Sequence, residues 1–354
     1  MLESLIDRFG DGAVLAMAGA LVGVLFGAAA QHSRFCLRAA AVEVAERGFG
    51  PRLSIWLIAF SAGVASVQGA IALGLLDVSE ARPLAATGSI SGAIIGGLMF
   101  GVGMILARGC ASRLLVLAAT GNLRAIVTGL VLTLVAQSAL RGVLAPAREG
   151  LASLWLVPGG DTRNILTLIG MVPGMAMLIA ALVLVGGFLL AYRRDVRPSH
   201  AIAAALVGFA VGLGWLLTYV IAQTSFEVVE ISSVTFTGPS TDTLMGLVNS
   251  TTLPLGFGVG LVPGVFTGAA AMAILTREWK IERFGPDTPM ERYLIGAALM
   301  GFGSMLAGGC AVGAGMSGGA IFALTAWVAV TCMWIGAMAT HLVLAGRPLR
   351  PATT

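Results

Sequence analysis

Three cysteines stand where a thiol could do chemistry. Cys110 closes the stretch IGGLMFGVGMILARGC at 95–110, and Cys310 closes IGAALMGFGSMLAGGC at 295–310. The two stretches share Ile, three Gly, Leu, Ala, Gly and Cys in the same register, with one offset and no gap. Cys36 follows HSRF at the end of the first apolar run. Helices that pack through small residues account for repeated glycines. They do not account for a cysteine at the same register in both copies. A thiol is a weak hydrogen-bond donor on a soft, polarisable atom. Where a membrane helix breaks and another starts, free N–H groups and the positive dipole end favour an anion beside that thiol. A glycine-broken span that occurs twice points to a transporter. Cys332 lies inside a full apolar run and reads as a packing residue.

The neighbours of these thiols refine the expectation. Gly109, Gly308 and Gly309 precede Cys110 and Cys310, where they are expected to let the backbone turn. Arg34, Arg108 and Arg113 flank the cysteines on one side. They mark the cytoplasmic face under the positive-inside rule, or they form a well that draws an anion in. No cysteine pair has CxxC or metal-site spacing, so no metal and no cofactor is expected. No Asp or Glu is expected within the spans, which disfavours a carboxylate proton relay and a Ca²⁺ or Mg²⁺ path. A soft anion, particularly one bearing sulfur, suits the inventory. His32 reads as structural.

The elements that must hold these residues follow from composition. The chain is 57% hydrophobic and 11% charged, with mean hydropathy +0.94. A soluble domain carries roughly 25% charged residues, so this is an all-α polytopic membrane protein. The net charge of +4 and pI near 9.2 fit loops against anionic lipid rather than a nucleic-acid partner. Nine apolar segments are long enough to span: 13–31, 53–76, 89–107, 123–144, 166–192, 200–221, 254–276, 290–307 and 320–345. Four shorter pieces, after 35, after 109, around 240–250 and after 309, read as re-entrant half-helices. The N-terminus, MLESLIDRFGDG, lacks the basic start of a secretory signal, so the first span is expected to remain.

Basic loops give the spans a direction. With the N-terminus outside and nine alternating spans, 16 of the 21 basic residues fall inside, among them Arg34, Arg38, Arg108, Arg113, Arg277, Arg347 and Arg350. The outer side keeps Arg8, Arg82, Arg141, Arg148 and Arg163. The span before Cys110 then runs inward and the span before Cys310 outward. The copies are inverted, as halves 13–144 and 200–345 around a linker helix at 166–192. ALVG at 20–23 returns at 205–208, with Gly27 matched by Gly212; that register puts Ile221 opposite Cys36. Cys110 and Cys310 would meet near the midplane, with Cys36 the next station inward.

These residues carry a resemblance. Gln31–Arg34–Phe35–Cys36, Leu106-Ala107-Arg108-Gly109-Cys110, and Met305-Leu306-Ala307-Gly308-Gly309-Cys310 with Gly313 are similar to the three cysteine motifs of the YeeE/YedE sulfur-transport family. Gly264–Lys280, with Arg277-Glu278, resembles that family's seventh span. The resemblance covers nearly the whole chain. It implies an hourglass-like, pseudo-twofold fold of nine spans and four short helices in the bacterial inner membrane, with the C-terminus cytoplasmic. It also implies import of a small sulfur-containing anion, thiosulfate first, handed past Cys36, Cys110 and Cys310 by transient hydrogen bonds. A cytosolic sulfur-carrier protein is the partner it implies. The family pattern resembles Gly-Gly-Cys-x-x-Gly in both halves; here the first half has Arg108 and Arg113 in place of two glycines. That departure opens the substrate to another sulfur anion or a selenium analogue. A membrane thiol or persulfide relay protein is the rival reading, and it needs accessible, low-pKa thiols.

Overall fold

The computed structural model describes residues 2–249, 253–284 and 290–346. In chain order its helices are α1 Leu2–Phe9, α2 Asp11–Ser33, α3 Leu37–Ala45, α4 Pro51–Ala72, α5 Arg82–Ala85, α6 Ile90–Leu106, α7 Ala111–Ala119 and α8 Leu123–Arg141. They continue as α9 Ala145–Ala152, α10 Ile165–Ile169, α11 Pro173–Arg193, α12 Pro198–Thr224, α13 Thr237–Asn249, α14 Phe257–Leu275, α15 Met290–Leu306 and α16 Leu324–Ala345. A π-helical turn covers Gly313–Gly318. Sheet among the described residues is one two-residue pairing, Gly88–Ser89 against Leu156–Val157. Arg347 and Arg350, assigned to the inner side above, lie outside the described residues.

Among the described residues, eight helical stretches are long and apolar enough to cross a membrane, and the protein is a multi-pass membrane protein. The remaining expected span, 290–307, is helical as Met290–Leu306, 17 residues, at the short end of what can cross. The expectation of spans without Asp or Glu is corrected at one position: Glu291 lies in the first turn of α15, inside the expected span 290–307, where a carboxylate suits the helix start. Segment 166–192 is corrected: it is two helices, because Gly170 ends α10 in a left-handed conformation at φ 66° and Pro173 starts α11. The apolar side chains Leu178, Leu182 and Leu189 of α11 are exposed, as on a helix whose outer face belongs to lipid. All four short pieces form, the last of them as the π-helical turn.

Glycine decides how closely these helices approach. Gly19, Gly23 and Gly27 of α2 face the backbone of Phe257, Leu261 and Val265, while Gly260, Gly264 and Gly268 of α14 face Ala16, Ala20 and Val24. A Cβ at any of these positions would overlap main-chain atoms, so the two backbones touch along their length. The echo glycines act alike: Gly208 and Gly212 of α12 receive Ala59 and Ser66 of α4. In the repeated stretches Gly96 of α6 meets Gly303 of α15, and Gly103 meets Gly296. Rising numbers on one helix pair with falling numbers on the other. The two copies therefore pack antiparallel on each other through the glycines that define them.

Candidate functional site

Each of the three cysteines sits in the same backbone device. Helix α2 ends with Arg34 in the left-handed region at φ 55°, α6 ends with Arg108 at φ 55°, and α15 ends with Gly308 at φ 79°. The next residue then bonds back five positions: Phe35 N–H donates to Ala30 C=O at 3.2 Å, Gly109 to Met104 at 3.2 Å and Gly309 to Ser304 at 2.9 Å. This is the Schellman closure of a helix. The cysteine follows at once, and its C=O accepts the first bond of the next helix: from Ala40 for Cys36, Leu114 for Cys110 and Ala314 for Cys310. Cys36 and Cys110 thus stand at N-caps, beside the free N–H groups and the positive dipole end, while Cys310 lies two residues before Val312, the N-cap of the π-helical turn. Cys310 Sγ also accepts from Gly313 N–H at 3.4 Å, and Cys110 Sγ lies 3.3 Å from Ser112 Oγ.

The turning residue differs from expectation in the first break. There the left-handed residue is Arg108, not Gly109; in the second it is Gly308, one of the two glycines expected, and not Gly309. Gly309 is needed for space, since a Cβ there would stand 2.9 Å from Ala314 N; at Gly109 it would make an ordinary 3.4 Å contact with Leu114. Ile221, opposite Cys36 by the sequence echo, lies inside α12, which runs on to Thr224. The chain between α12 and α13 instead passes the second break in extended form, where Ser317 Oγ donates to Val234 C=O at 2.6 Å and Gly313 abuts Thr235.

The structure brings the thiols together. Cys110 is close enough to both Cys36 and Cys310 to interact with them electrostatically. Cys110 and Cys310 are 2% and 1% exposed, whereas Cys36 is half-buried and opens into a cavity of about 650 Å³. That cavity is lined by Arg34, Arg38, Arg52, Arg108 and Arg113, with Gln31, Glu43, Glu46, Glu278 and Glu282. Cys332 stays apart: its Cβ faces Gly97 where α16 packs on α6. Of the three arginines singled out from sequence, Arg34 is paired with Glu278 at 2.9 Å, and Gln31 donates to the same carboxylate at 3.1 Å. Hydrogen bonding from Arg34 holds the Glu278 carboxyl below the usual carboxylate range. The pair straps the end of α2 to the end of α14.

Sequence reasoning counted Arg38 only as a marker of the inner face, yet it lines the cavity. Its signal was available: a cation in the first turn of a short helix opposes the dipole. It also passed over the side chains that hold the π-helical turn. Trp215 Nε1–H donates to Ser317 C=O at 3.2 Å, Trp327 Nε1–H to Gly319 C=O at 3.2 Å and Gln68 Nε2–H to Ala320 C=O at 2.7 Å. These donors satisfy carbonyls that a regular helix would satisfy itself, and so fix the segment that follows Cys310.

A sequence profile of sulphur transport proteins matches residues 32–339. The chain belongs to the sulphur transport (YeeE/YedE) family. Two relatives span nearly its whole length. One, from Escherichia coli strain K12, is named thiosulfate transporter TsuA and is 26% identical over 361 residues, covering 95% of this chain and 96% of that protein. A protein of the same name from Spirochaeta thermophila is 27% identical over 335 residues, covering 88% of this chain and 93% of its own. The sulphur transport family consists of transporters, and this chain is a membrane transporter rather than an enzyme.

Proposed function

We propose that this protein imports a small sulfur oxyanion, thiosulfate first, across the bacterial inner membrane by passing it between cysteine thiols. One observation supports the reading: Cys36 and Cys110 are N-caps of short helices, Cys310 follows a helix closure just before a π-helical turn, and Cys110 lies within electrostatic reach of both other thiols. Each break presents N–H donors beside a soft S–H, and an anion shed of water needs such donors. The relatives' printed name favours thiosulfate. Cys110 and Cys310 form the narrow centre, at the junction of inverted halves 13–144 and 200–345 with the linker near 166–192. The arginine-lined cavity opens to the cytoplasm, with the N-terminus outside and the C-terminus inside, and Arg34, Arg108 and Arg113 attract the anion there. A cytosolic sulfur-carrier protein would receive it at that mouth.

The test is growth on thiosulfate as sole sulfur source in a host stripped of its own uptake system, together with labelled uptake. Rescue and saturable uptake are expected. A well-expressed protein that gives neither removes thiosulfate as the substrate. The relay reading has one observation in its favour, since Cys36 is reachable from the cavity. It predicts a persulfide, one sulfur atom heavier, on Cys36 after turnover; transport by passage predicts an unmodified chain by mass.

A further inference from the structure

We propose that Arg38 and Arg113 together form a subsite for a doubly charged oxyanion in the cavity wall, and that this pair sets the charge selectivity of the path. The inference rests on the transport reading above and adds to it the residues that recognise charge.

Both side chains line the cavity that Cys36 opens into. Arg38 Nε and Arg113 Nη1 are buried from solvent and have no hydrogen-bond partner. A buried guanidinium N–H without an acceptor is costly, and folded proteins seldom leave one so.

Nearby carboxylates do not answer that need, because each is occupied. Glu43 accepts the backbone N–H groups of Arg52 and Leu53 at 3.3 and 2.7 Å, where α4 begins. Glu46 meets His341 at 2.9 Å. Glu278 holds Arg34 and Gln31, and Glu282 holds Asn122. Among the described residues, neither Arg38 nor Arg113 has an ion pair.

Their place in the helices sharpens the imbalance. Arg38 is the second residue of α3 and Arg113 the third of α7, directly after the N-caps Cys36 and Cys110. A helix start already carries positive potential, so a cation there is unfavourable by itself. The start of α3, with Cys36 and Arg38, and Arg113 from α7 line one cavity, and neither helix has an acid in its first turn. An anion of two charges there satisfies both guanidinium groups and the start of α3, whereas a monoanion leaves positive charge uncompensated. The second half of the chain makes the same point by contrast: the residue in the register of Arg113 is Gly313, packed against Thr235 with no room for a side chain. The charge is placed on one side of the thiols only.

The experiment uses the full chain, purified in detergent, with its thermal midpoint followed against sulfate, thiosulfate and thiocyanate at constant ionic strength. Sulfate and thiosulfate are expected to stabilise the unmodified protein at concentrations roughly tenfold below thiocyanate. Arg38→Gln and Arg113→Gln should each reduce that preference by roughly tenfold, a factor equal to about 1.4 kcal/mol. Arg38→Lys and Arg113→Lys, which keep the charge and lose the bidentate fork, should restore it in part. Variants that fold and keep the full dianion preference overturn the proposal. So does an unmodified protein that responds to thiosulfate alone, because recognition then lies at the thiols. Should a Gln variant not fold, the Lys variant decides, and an unchanged preference there overturns the pair as the reader of charge. A protein that takes up no thiosulfate, yet loses dianion stabilisation when Arg38 or Arg113 is changed, removes thiosulfate as the substrate and leaves the subsite standing.

Discussion

The two breaks at Cys110 and Cys310 share a backbone and differ in chemistry. In both, a helix closes through a left-handed residue, a glycine follows, and the cysteine starts the next segment. After Cys110 that segment is a regular nine-residue helix. After Cys310 it is a π-helical turn, and the carbonyls of Ser317 within it and of Gly319 and Ala320 just past it are held by two indoles and a glutamine. Arg108 and Arg113 stand where the second break has Gly308 and Gly313. One break therefore carries the fixed charge and sends Arg108 and Arg113 to the cavity, and the other forms a close-packed wall. The repeat sets where two thiols stand, and its departures make the two breaks unlike.

The largest effect is expected where the breaks agree. Cys110→Ala and Cys310→Ala each remove one S–H donor and little else, and a hydrogen bond to a charged group is worth about 1.5–3 kcal/mol. Labelled uptake should fall roughly ten- to hundredfold for either, and Cys36→Ala should follow closely. A loss confined to one of the central pair would mean that the constriction belongs to one half.

Next come the positions where the breaks differ. Gly313→Val forces a side chain onto Thr235 and should lower stability by about 1–3 kcal/mol, read as a drop in thermal midpoint. Arg113→Gly meets no such wall, so it should fold normally and shift the order in which competing anions inhibit uptake. Equal thermal losses in both variants would erase the distinction between wall and cavity.

The left-handed position gives a smaller difference. Gly308→Ala should cost about 1 kcal/mol, because φ near 79° crowds a Cβ, while Arg108→Gly should gain up to about 1 kcal/mol. Opposite shifts in thermal midpoint are the signature of one backbone shared by two sequences.

Two weak effects close the series. The Glu278 carboxyl is held below its ordinary range by Arg34, so the strap contributes stability above that range and loses it as the pH falls through the lowered value. Glu278→Gln should therefore melt slightly below the unmodified protein at pH 7 and alongside it in acid; the pair is exposed, so the gap is small and shrinks with salt. Cys332→Ala, at a helix–helix contact away from the breaks, should take up anion at close to the unmodified rate.

Much of the fold was legible because lipid leaves few options. Long apolar runs must be helices when backbone groups have no water to bond, and the glycine-cysteine repeat marked where two of them stop. Segment 166–192 was misjudged because hydropathy does not register the break that Gly170 and Pro173 make inside an apolar run. The turn before Cys110 was assigned to the wrong residue for a related reason. Glycine is the usual left-handed residue, yet Arg34 and Arg108 take that conformation once the helix before and the half-helix after are both fixed.

By itself the sequence determined a helical membrane protein, three cysteines at helix breaks, a repeated stretch and one arginine-rich side. Those properties are local: they depend on length, hydropathy and the residues next to each break. Only the tertiary structure decided that Cys36 reaches Cys110 and opens into the cavity, that the nearby carboxylates are already engaged, and that Arg38 joins Arg113 without a partner. Partnership between charges is a matter of distance across helices far apart in the chain. Arg34 and Glu278 are 244 residues apart, and no spacing in the sequence tells a paired arginine from a free one.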